Sequence, residues 1–292
     1  MWLTIVIPAY NEEKRLPRAL TQIRDYLAST EGRGRKVEIV VVDDGSTDAT
    51  AWVVEDWKQR LRGLRLISNG ANRGKGCSVR RGALEARGEI VLFTDADLSA
   101  PIEESAKLIT AVETGNDIAI GSRAIDRSLI DVHQSRGREL AGIVFNRCVR
   151  LLTGLQFQDT QCGFKAFKRE SCRIVFAQQR IERFGFDPEI LFIAKLRGLR
   201  AVEVPVRWAH DEATKVHVLR DSLRMFTDLI YIRWNYLMNR YPVKASRHIR
   251  FERSETLSCD EETRIVIERP GKACATGASD DGSAAKSLTV EV

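Results

Sequence analysis

From Val37 to Val42 the chain is apolar and β-branched except for Glu38, and it breaks at Asp43-Asp44-Gly45. A strand this apolar is buried on both faces, the condition of a parallel sheet covered by helices on each side. The flanking sequence repeats the pattern. Leu3 to Ile7 is a short apolar run ended by Pro8, after which Leu16, Ala19, Leu20, Ile23 and Leu27 recur at helical spacing. After Gly45, Ser46 or Thr47 can cap a helix holding Trp52, Val53 and Trp57. A weaker strand at Leu64 to Ile67 precedes the glycine-rich Asn72-Arg73-Gly74-Lys75-Gly76, and a helix follows to Arg87. Ile90 to Thr94 is a strong strand ending in Asp95-Ala96-Asp97; a helix from Pro101 and a strand at Ile118 to Ile120 complete the set. Such alternation predicts an α/β fold with a mostly parallel central sheet and helices on both faces.

Ligands of such sheets bind beyond the carboxyl ends of the strands. Tyr10-Asn11-Glu12, Asp43-Asp44-Gly45 and Asp95-Ala96-Asp97 each fall at such an end. Their coincidence on one edge says more than any one of them.

Beyond Arg123 the pattern changes. Residues 125–140 are polar, rich in Arg and Ser, and read as a mobile loop; 140–153 read as helix and 159–170 as irregular chain leading into a helix. A strand is expected at 201–206 and a long amphipathic helix at 216–241. We expect one domain over 1–242, and a largely disordered tail over 243–292, where Ala, Gly, Ser and Asp repeat.

Charge follows the same division. Residues 251–292 carry nine acids and five bases, a net of −4; the first 250 carry 41 bases against 31 acids, a net of +10. A basic body suits nucleotide phosphates, anionic lipid or nucleic acid. The bases are dispersed and no aromatic platform accompanies them, so nucleic acid fits worst. No run approaches the ~20 apolar residues that span a bilayer. The first ten residues lack the features of a secretory signal. The six cysteines show neither a CxxC pair nor metal-ligand spacing with His, and read as reduced thiols of a cytosolic protein.

Asp95 and Asp97 put two hard oxygen donors where a divalent cation with a diphosphate can sit, since Mg²⁺ and Mn²⁺ favour carboxylates together with phosphate oxygens. As a lone pair they would read as caps of the helix near Pro101. Asp43 and Asp44 can accept a nucleobase N–H or ribose hydroxyls, or serve as ordinary turn residues. Lys75 can reach phosphate or sit solvated in its loop; the loop is not a Walker A motif.

PAYNEE (8–13), VVDDGSTDAT (41–50), NRGKG (72–76) and DADLSAP (95–101), in this order and spacing, resemble the inverting nucleotide-sugar transferases of glycosyltransferase family 2. DTQCGFKAFKRE (159–170), ERFGFDPEILFIA (182–194) and WAHDEATK (208–215) are similar to the dolichyl-phosphate β-glucosyltransferase branch, near the dolichol-phosphate mannose synthases. The resemblance spans roughly residues 2–241. It implies a GT-A fold, a UDP- or GDP-sugar donor (UDP-glucose favoured), Mg²⁺ or Mn²⁺, and a polyprenyl-phosphate acceptor. It further implies that Pro8, Tyr10, Glu12, Val42 and Asp44 line the base and ribose pocket. Asp95, Ala96 and Asp97 would meet diphosphate and metal, and Arg123, Lys165 and Lys215 would contact phosphates. Two departures disfavour GDP-mannose. Ser99 stands where mannose synthases often carry Gln or Glu, and Ala209 stands where they carry Arg.

A lipid phosphate is already a nucleophile, so no strong general base is required. The protein must hold two anions together and stabilise the departing diphosphate. Arg123, Arg136 and Arg138 are the candidates to offset their repulsion. Asp159 and Asp187 are candidates for sugar or metal contacts or for capping, with Glu189 a weaker one; His210 reads as structural. If the acceptor were a polysaccharide or protein hydroxyl, Asp187 or Asp159 would have to act as the base. The helix 216–241 mixes Arg220, Arg224, Arg233 and Arg240 with Tyr231, Trp234, Tyr236 and Tyr241, as does a helix lying on a membrane surface, or one packed on the domain core with snorkelling arginines. The expected location is therefore cytoplasmic, at the cytoplasmic face of a membrane.

Overall fold

The computed structural model describes residues 1–29, 34–132, 135–209 and 218–241. His210, Lys215 and the tail 243–292 lie outside the described residues. Strands β1 (Leu3–Ala9), β2 (Val37–Asp43), β3 (Leu64–Ser68), β4 (Ile90–Phe93), β5 (Ile118–Ser122), β7 (Lys165–Lys168) and β8 (Ala201–Pro205) form one sheet in the order β3-β2-β1-β4-β7-β5-β8. β6 (Ile130–Val132) and β9 (Trp208–Ala209) form a separate parallel pair.

Successive residues of β1 and β2 feed opposite faces of the sheet, as the strand pleat requires. Leu3, Ile5, Ile7, Ile39 and Val41 pack with α1 (Leu16–Ala28), α2 (Thr50–Trp57) and α4 (Ser105–Glu113). Val6, Val40 and Val42 pack with α3 (Lys75–Glu85), α6 (Arg169–Gln178) and α7 (Phe186–Leu196). Two full layers explain why the strands are apolar throughout. Glu38, the exception within β2, is buried and accepts from Thr4 Oγ1 at 2.7 Å and from the Arg87 N–H at 2.6 Å.

Two expectations need correction. Residues 159–170 are not all irregular: β7 lies antiparallel between β4 and β5, with Lys165 opposite both Phe93 and Ile120. Hydropathy hides this strand, because Lys165 is fully buried as an ion pair rather than solvated. Residues 125–140 are likewise not one loop. A 3₁₀ turn at Arg127–Leu129 and β6 precede α5 (Arg136–Thr153), so Arg136 and Arg138 belong to the first turn of a helix.

α5 packs against α8 (Val218–Leu237). Among the described residues, no helix is long and apolar enough to cross a membrane.

Candidate active site

β1, β2, β4 and β5 run in one direction, so Tyr10, Asp43, Asp95 and Arg123 emerge at a single sheet edge. β7 runs oppositely, so its first residue, Lys165, arrives at the same edge. α3 and α7 begin there too, bringing Lys75 and Asp187.

The two loops following β1 and β2 are stitched together. The Asn11 N–H donates to Ser46 Oγ at 2.9 Å, and Asn11 Oδ1 accepts from the Thr47 N–H at 2.8 Å. Asn11 has φ +54°, a conformation Asn tolerates because its amide bonds locally. Pro8 and Ala9 sit in register with Val42 and Asp43. Glu12 is buried and takes both Arg15 Nε and Nη2 at 2.6 Å. Asp43 accepts from the Ser46 N–H at 3.1 Å, while Asp44 accepts from the Arg73 N–H at 3.1 Å, the Gly74 N–H at 2.7 Å and Asn69 Nδ2 at 2.8 Å. Asp44 therefore shapes the glycine-rich loop, and the loop presents Lys75.

Lys75 Nζ lies 2.5 Å from Asp95 Oδ1. Burial works against its charge, but Asp95, Asp187 and Asp97 together raise its pKa above the ordinary value. Asp97 is pushed up by burial and by the neighbouring Asp95 carboxylate, against the Ser99 N–H it accepts at 2.9 Å and Arg15, 3.9 Å away. Gly163 makes this approach possible. A Cβ there would land on the Asp95 carboxylate and within 2.9 Å of Lys75 Nζ.

Two further ion pairs continue the edge. Lys165 contacts Asp187 and donates to the Cys162 carbonyl at 2.6 Å, with its ammonium 5.3 Å from the Phe93 ring centroid. Burial pushes Asp187 up despite Lys165 and Lys75. Arg123 forks onto Asp159, Nε to Oδ2 at 2.6 Å and Nη2 to Oδ1 at 2.8 Å, and lies 5.2 Å over the Trp208 ring. Burial opposes ionisation of Asp159, but Arg123 outweighs it and holds the carboxyl below the usual range. The Arg123 side chain is 26% exposed. The Cys162 thiol, pushed up to about 12 by burial, stays protonated.

Sequence reasoning thus picked out residues that the fold brings to one edge: Pro8, Tyr10, Glu12, Val42, Asp43, Asp44, Lys75, Asp95, Ala96, Asp97, Arg123, Asp159, Lys165 and Asp187. It missed Arg15, Asn69, Gly163 and Trp208. Only Gly163 carried a signal, as a glycine set between the site residues Asp159 and Lys165 in DTQCGFK. Glu189 is engaged elsewhere, accepting backbone N–H groups of Arg180 and Ile181. Arg136 and Arg138 lie beyond β6, where only their backbone is described.

The mostly parallel sheet with helices on both faces, its acidic and basic side chains gathered at the carboxyl edge, is of the kind found in the GT-A fold of glycosyltransferases. Solved structures agree on the fold. Glucosyl-3-phosphoglycerate synthase from Mycobacterium tuberculosis, in complex with Mn²⁺, UDP and glucosyl-3-phosphoglycerate, superposes with a TM-score of 0.55 at 19% identity, over 86% of this chain and 84% of that one. The same enzyme with Mg²⁺ and UDP gives 0.56 at 20% identity, over 84% and 81%. Residues 4–176 match the model of Glycosyl transferase family 2, and the chain belongs to that family. Among curated relatives, dolichyl-phosphate beta-glucosyltransferase ALG5A of Trichomonas vaginalis is 36% identical over 85% of this chain and 78% of its own length. The human dolichyl-phosphate beta-glucosyltransferase is 35% identical over 84% and 79%.

Proposed function

We propose that this glycosyltransferase moves glucose, with inversion, from UDP-glucose to a polyprenyl phosphate such as dolichyl phosphate. The observation that carries the reading is the alternation of charge along the sheet edge: Asp97, Asp95, Lys75, Asp187, Lys165, Asp159 and Arg123. Both substrates are anions that repel each other, and such an edge offers each a cation while keeping the local charge near balance. The relatives named as dolichyl-phosphate β-glucosyltransferases support both acceptor and sugar.

The residues fit a divalent metal. Asp95 and Asp97 offer adjacent hard oxygens, and burial together with the Asp95 carboxylate pushes Asp97 up. Among the described residues no cluster of three His, Cys, Asp or Glu side chains could cage an ion. Mg²⁺ or Mn²⁺, held by these two acids and by phosphate oxygens, suits that donor set. When bound, the ion acts as a Lewis acid toward the departing diphosphate. The solved neighbours holding UDP with Mn²⁺ or Mg²⁺ support its use.

In this reading Pro8, Tyr10, Glu12, Val42, Asp43 and Asp44 form the base and ribose pocket, and Ala96 lies against the diphosphate. Lys75, paired with Asp95 in this structure, would be the cation for the diphosphate if a divalent ion were held by that carboxylate. Arg123, fixed in direction by Asp159, contacts phosphate. Arg136 and Arg138, in the first turn of α5, serve the acceptor phosphate, and Lys215 completes the phosphate contacts. No side chain needs to remove a proton. A hydroxyl acceptor would need a base, and both candidates are committed: Asp159 to Arg123 and Asp187 to Lys165.

The acceptor is a lipid, and the outer faces of α5 and α8 support peripheral membrane association. Leu140, Ile143, Val144 and Leu151 on α5 and Phe226, Ile230, Trp234 and Leu237 on α8 are all exposed. Arg147, Arg150 and Arg233 are exposed beside them, as on a helix pair seated on anionic lipid. A cytosolic nucleotide sugar would place this seat on the cytoplasmic face. The test is a donor screen with radiolabelled nucleotide sugars, a short prenyl phosphate and Mg²⁺ or Mn²⁺. UDP-glucose should give β-glucosyl phosphate product; transfer only to a free hydroxyl would overturn the reading.

A further inference from the structure

A chain of contacts leads from the end of α8 to Lys75. After Leu237 the backbone turns through Asn239 at φ +52°, and the Asn235 carbonyl accepts the Arg240 N–H at 2.8 Å. Tyr241 is thereby turned inward, 3% exposed, its ring edge-on to Phe192. Its hydroxyl donates to Glu189 Oε1 at 2.7 Å. Glu189, fully buried in the first turn of α7, also accepts from the backbone N–H groups of Arg180 at 3.0 Å and Ile181 at 2.8 Å. The Arg180 guanidinium returns the link, donating to the Arg240 carbonyl at 3.1 Å.

The segment held in this way, 180–183, is the floor under the glycine-rich loop. The Cys77 N–H donates to the Glu182 carbonyl at 2.9 Å, and Gln179 Nε2 bridges the Gly76 and Ile181 carbonyls at 2.9 and 2.7 Å. Arg73 pairs with Glu182. A Cβ on Gly74 would stand 2.6 Å from the Glu182 carbonyl oxygen, and one on Gly76 2.8 Å from that of Ile181. Lys75 lies between these two glycines. Its direction is set by how closely the loop lies on 180–183.

We propose that Tyr241 and Glu189 are positioning residues for Lys75, fixing the segment on which the glycine-rich loop aims that lysine at the donor diphosphate. The inference rests on the reading of the sheet edge as a nucleotide-sugar site. Neither residue touches reacting atoms. Burial raises the pKa of both, so each polar atom in this dry contact depends on its partner. Removing the hydroxyl leaves Glu189 Oε1 with only the Arg180 N–H, at 3.1 Å, and the strain falls on 180–183.

The test uses the full chain and Tyr241→Phe, which keeps the ring and its packing. UDP with Mn²⁺, titrated by calorimetry, should bind about 3- to 10-fold more weakly, the scale of one buried hydrogen bond. Modification of Cys77 by a thiol reagent, followed by peptide mass, should be several-fold faster as the loop lifts. Glu189→Gln should move both readouts in the same direction and serves if Tyr241→Phe folds poorly. Ile23→Val, in the buried face of α1, should lower Tm and leave both readouts unchanged. If Tyr241→Phe and Glu189→Gln lower Tm alone, with UDP affinity and Cys77 reactivity at wild-type values, the pair is only structural and the proposal fails. Wild-type protein that binds UDP without glucosylating prenyl phosphate would defeat the functional reading and leave this one standing. If the wild type binds no UDP, unchanged Cys77 reactivity in the variants still overturns the coupling.

Discussion

Gly163 shows how a residue without functional atoms can govern a reactive site. The space a side chain would occupy holds the Asp95 carboxylate and the Lys75 ammonium. Gly163→Ala should therefore force the pair apart while adding only one methyl group to a loop. We expect at least a 10-fold loss in kcat/KM, measured with donor varied at saturating metal, with Tm lowered by no more than a surface change would cause. Asp97→Asn addresses the neighbouring carboxylate. A neutral amide is a poor ligand for a hard cation, so turnover should vanish while circular dichroism is unchanged; near-wild-type activity with Mg²⁺ or Mn²⁺ would remove Asp97 from the metal site. Arg123→Lys keeps the charge and loses the fork onto Asp159. A loss of about 1.5–3 kcal/mol, roughly 10- to 150-fold in kcat/KM, is expected from a charge-assisted bond that is no longer aimed. Most of these residues were legible in the sequence because they follow strand ends, where the pattern of apolar runs places them. Gly163, Arg15 and Asn69 were not. Their roles come from contacts between distant parts of the chain that only the packed structure brings together: Gly163 with Asp95 and Lys75, Arg15 with Asp97, and Asn69 with Asp44.

At the scale of elements, the alternation of strand and helix through β5 was readable because β1, β2, β4 and β5 are buried on two faces; the edge strand β3, only partly buried, gave the weakest signal. β7 was not, since burial of its leading lysine depends on Asp187, more than twenty residues later in α7. The long helix was readable as amphipathic, but not its division of labour. Leu229, Ile232 and Asn235 face inward, while Phe226, Ile230, Trp234 and Leu237 recur three or four residues apart on the outside. α5 repeats the arrangement with Leu140, Ile143, Val144 and Leu151. Leu151 and Ile230 are 85% and 55% exposed, so charging one residue in each stripe should cost little stability. The double variant Leu151→Glu and Ile230→Glu should keep its Tm within a few degrees and lose most sedimentation with anionic vesicles, since each change removes apolar burial and adds repulsion. Transfer to a short, detergent-dispersed prenyl phosphate should persist. Undiminished vesicle binding by this variant would assign membrane association to another surface.

For the whole molecule, charge is divided between a body of +10 over residues 1–250 and a segment of −4 over 251–292. The family motifs and every site residue named above lie in the body, so the acidic segment should be dispensable for chemistry. Its charge, however, opposes attraction to anionic lipid, which amounts to about 1 kcal/mol per cation close to the surface and falls off within a Debye length. Removing 251–292 should leave kcat/KM for UDP-glucose and a detergent-dispersed acceptor within about 2-fold of the full chain, because none of the site residues is removed. The same truncation should bind phosphatidylserine vesicles more tightly at low ionic strength. The gain should disappear toward roughly 1 M salt, where the Debye length is about 3 Å. Binding to uncharged phosphatidylcholine vesicles, which senses only the apolar stripes of α5 and α8, should be the same for both chains. A truncated protein that unfolds at a lower temperature would instead show that 251–292 stabilises the body. One that binds both vesicle types equally well, and no better than the full chain, would show that apolar contact alone holds the enzyme to its lipid.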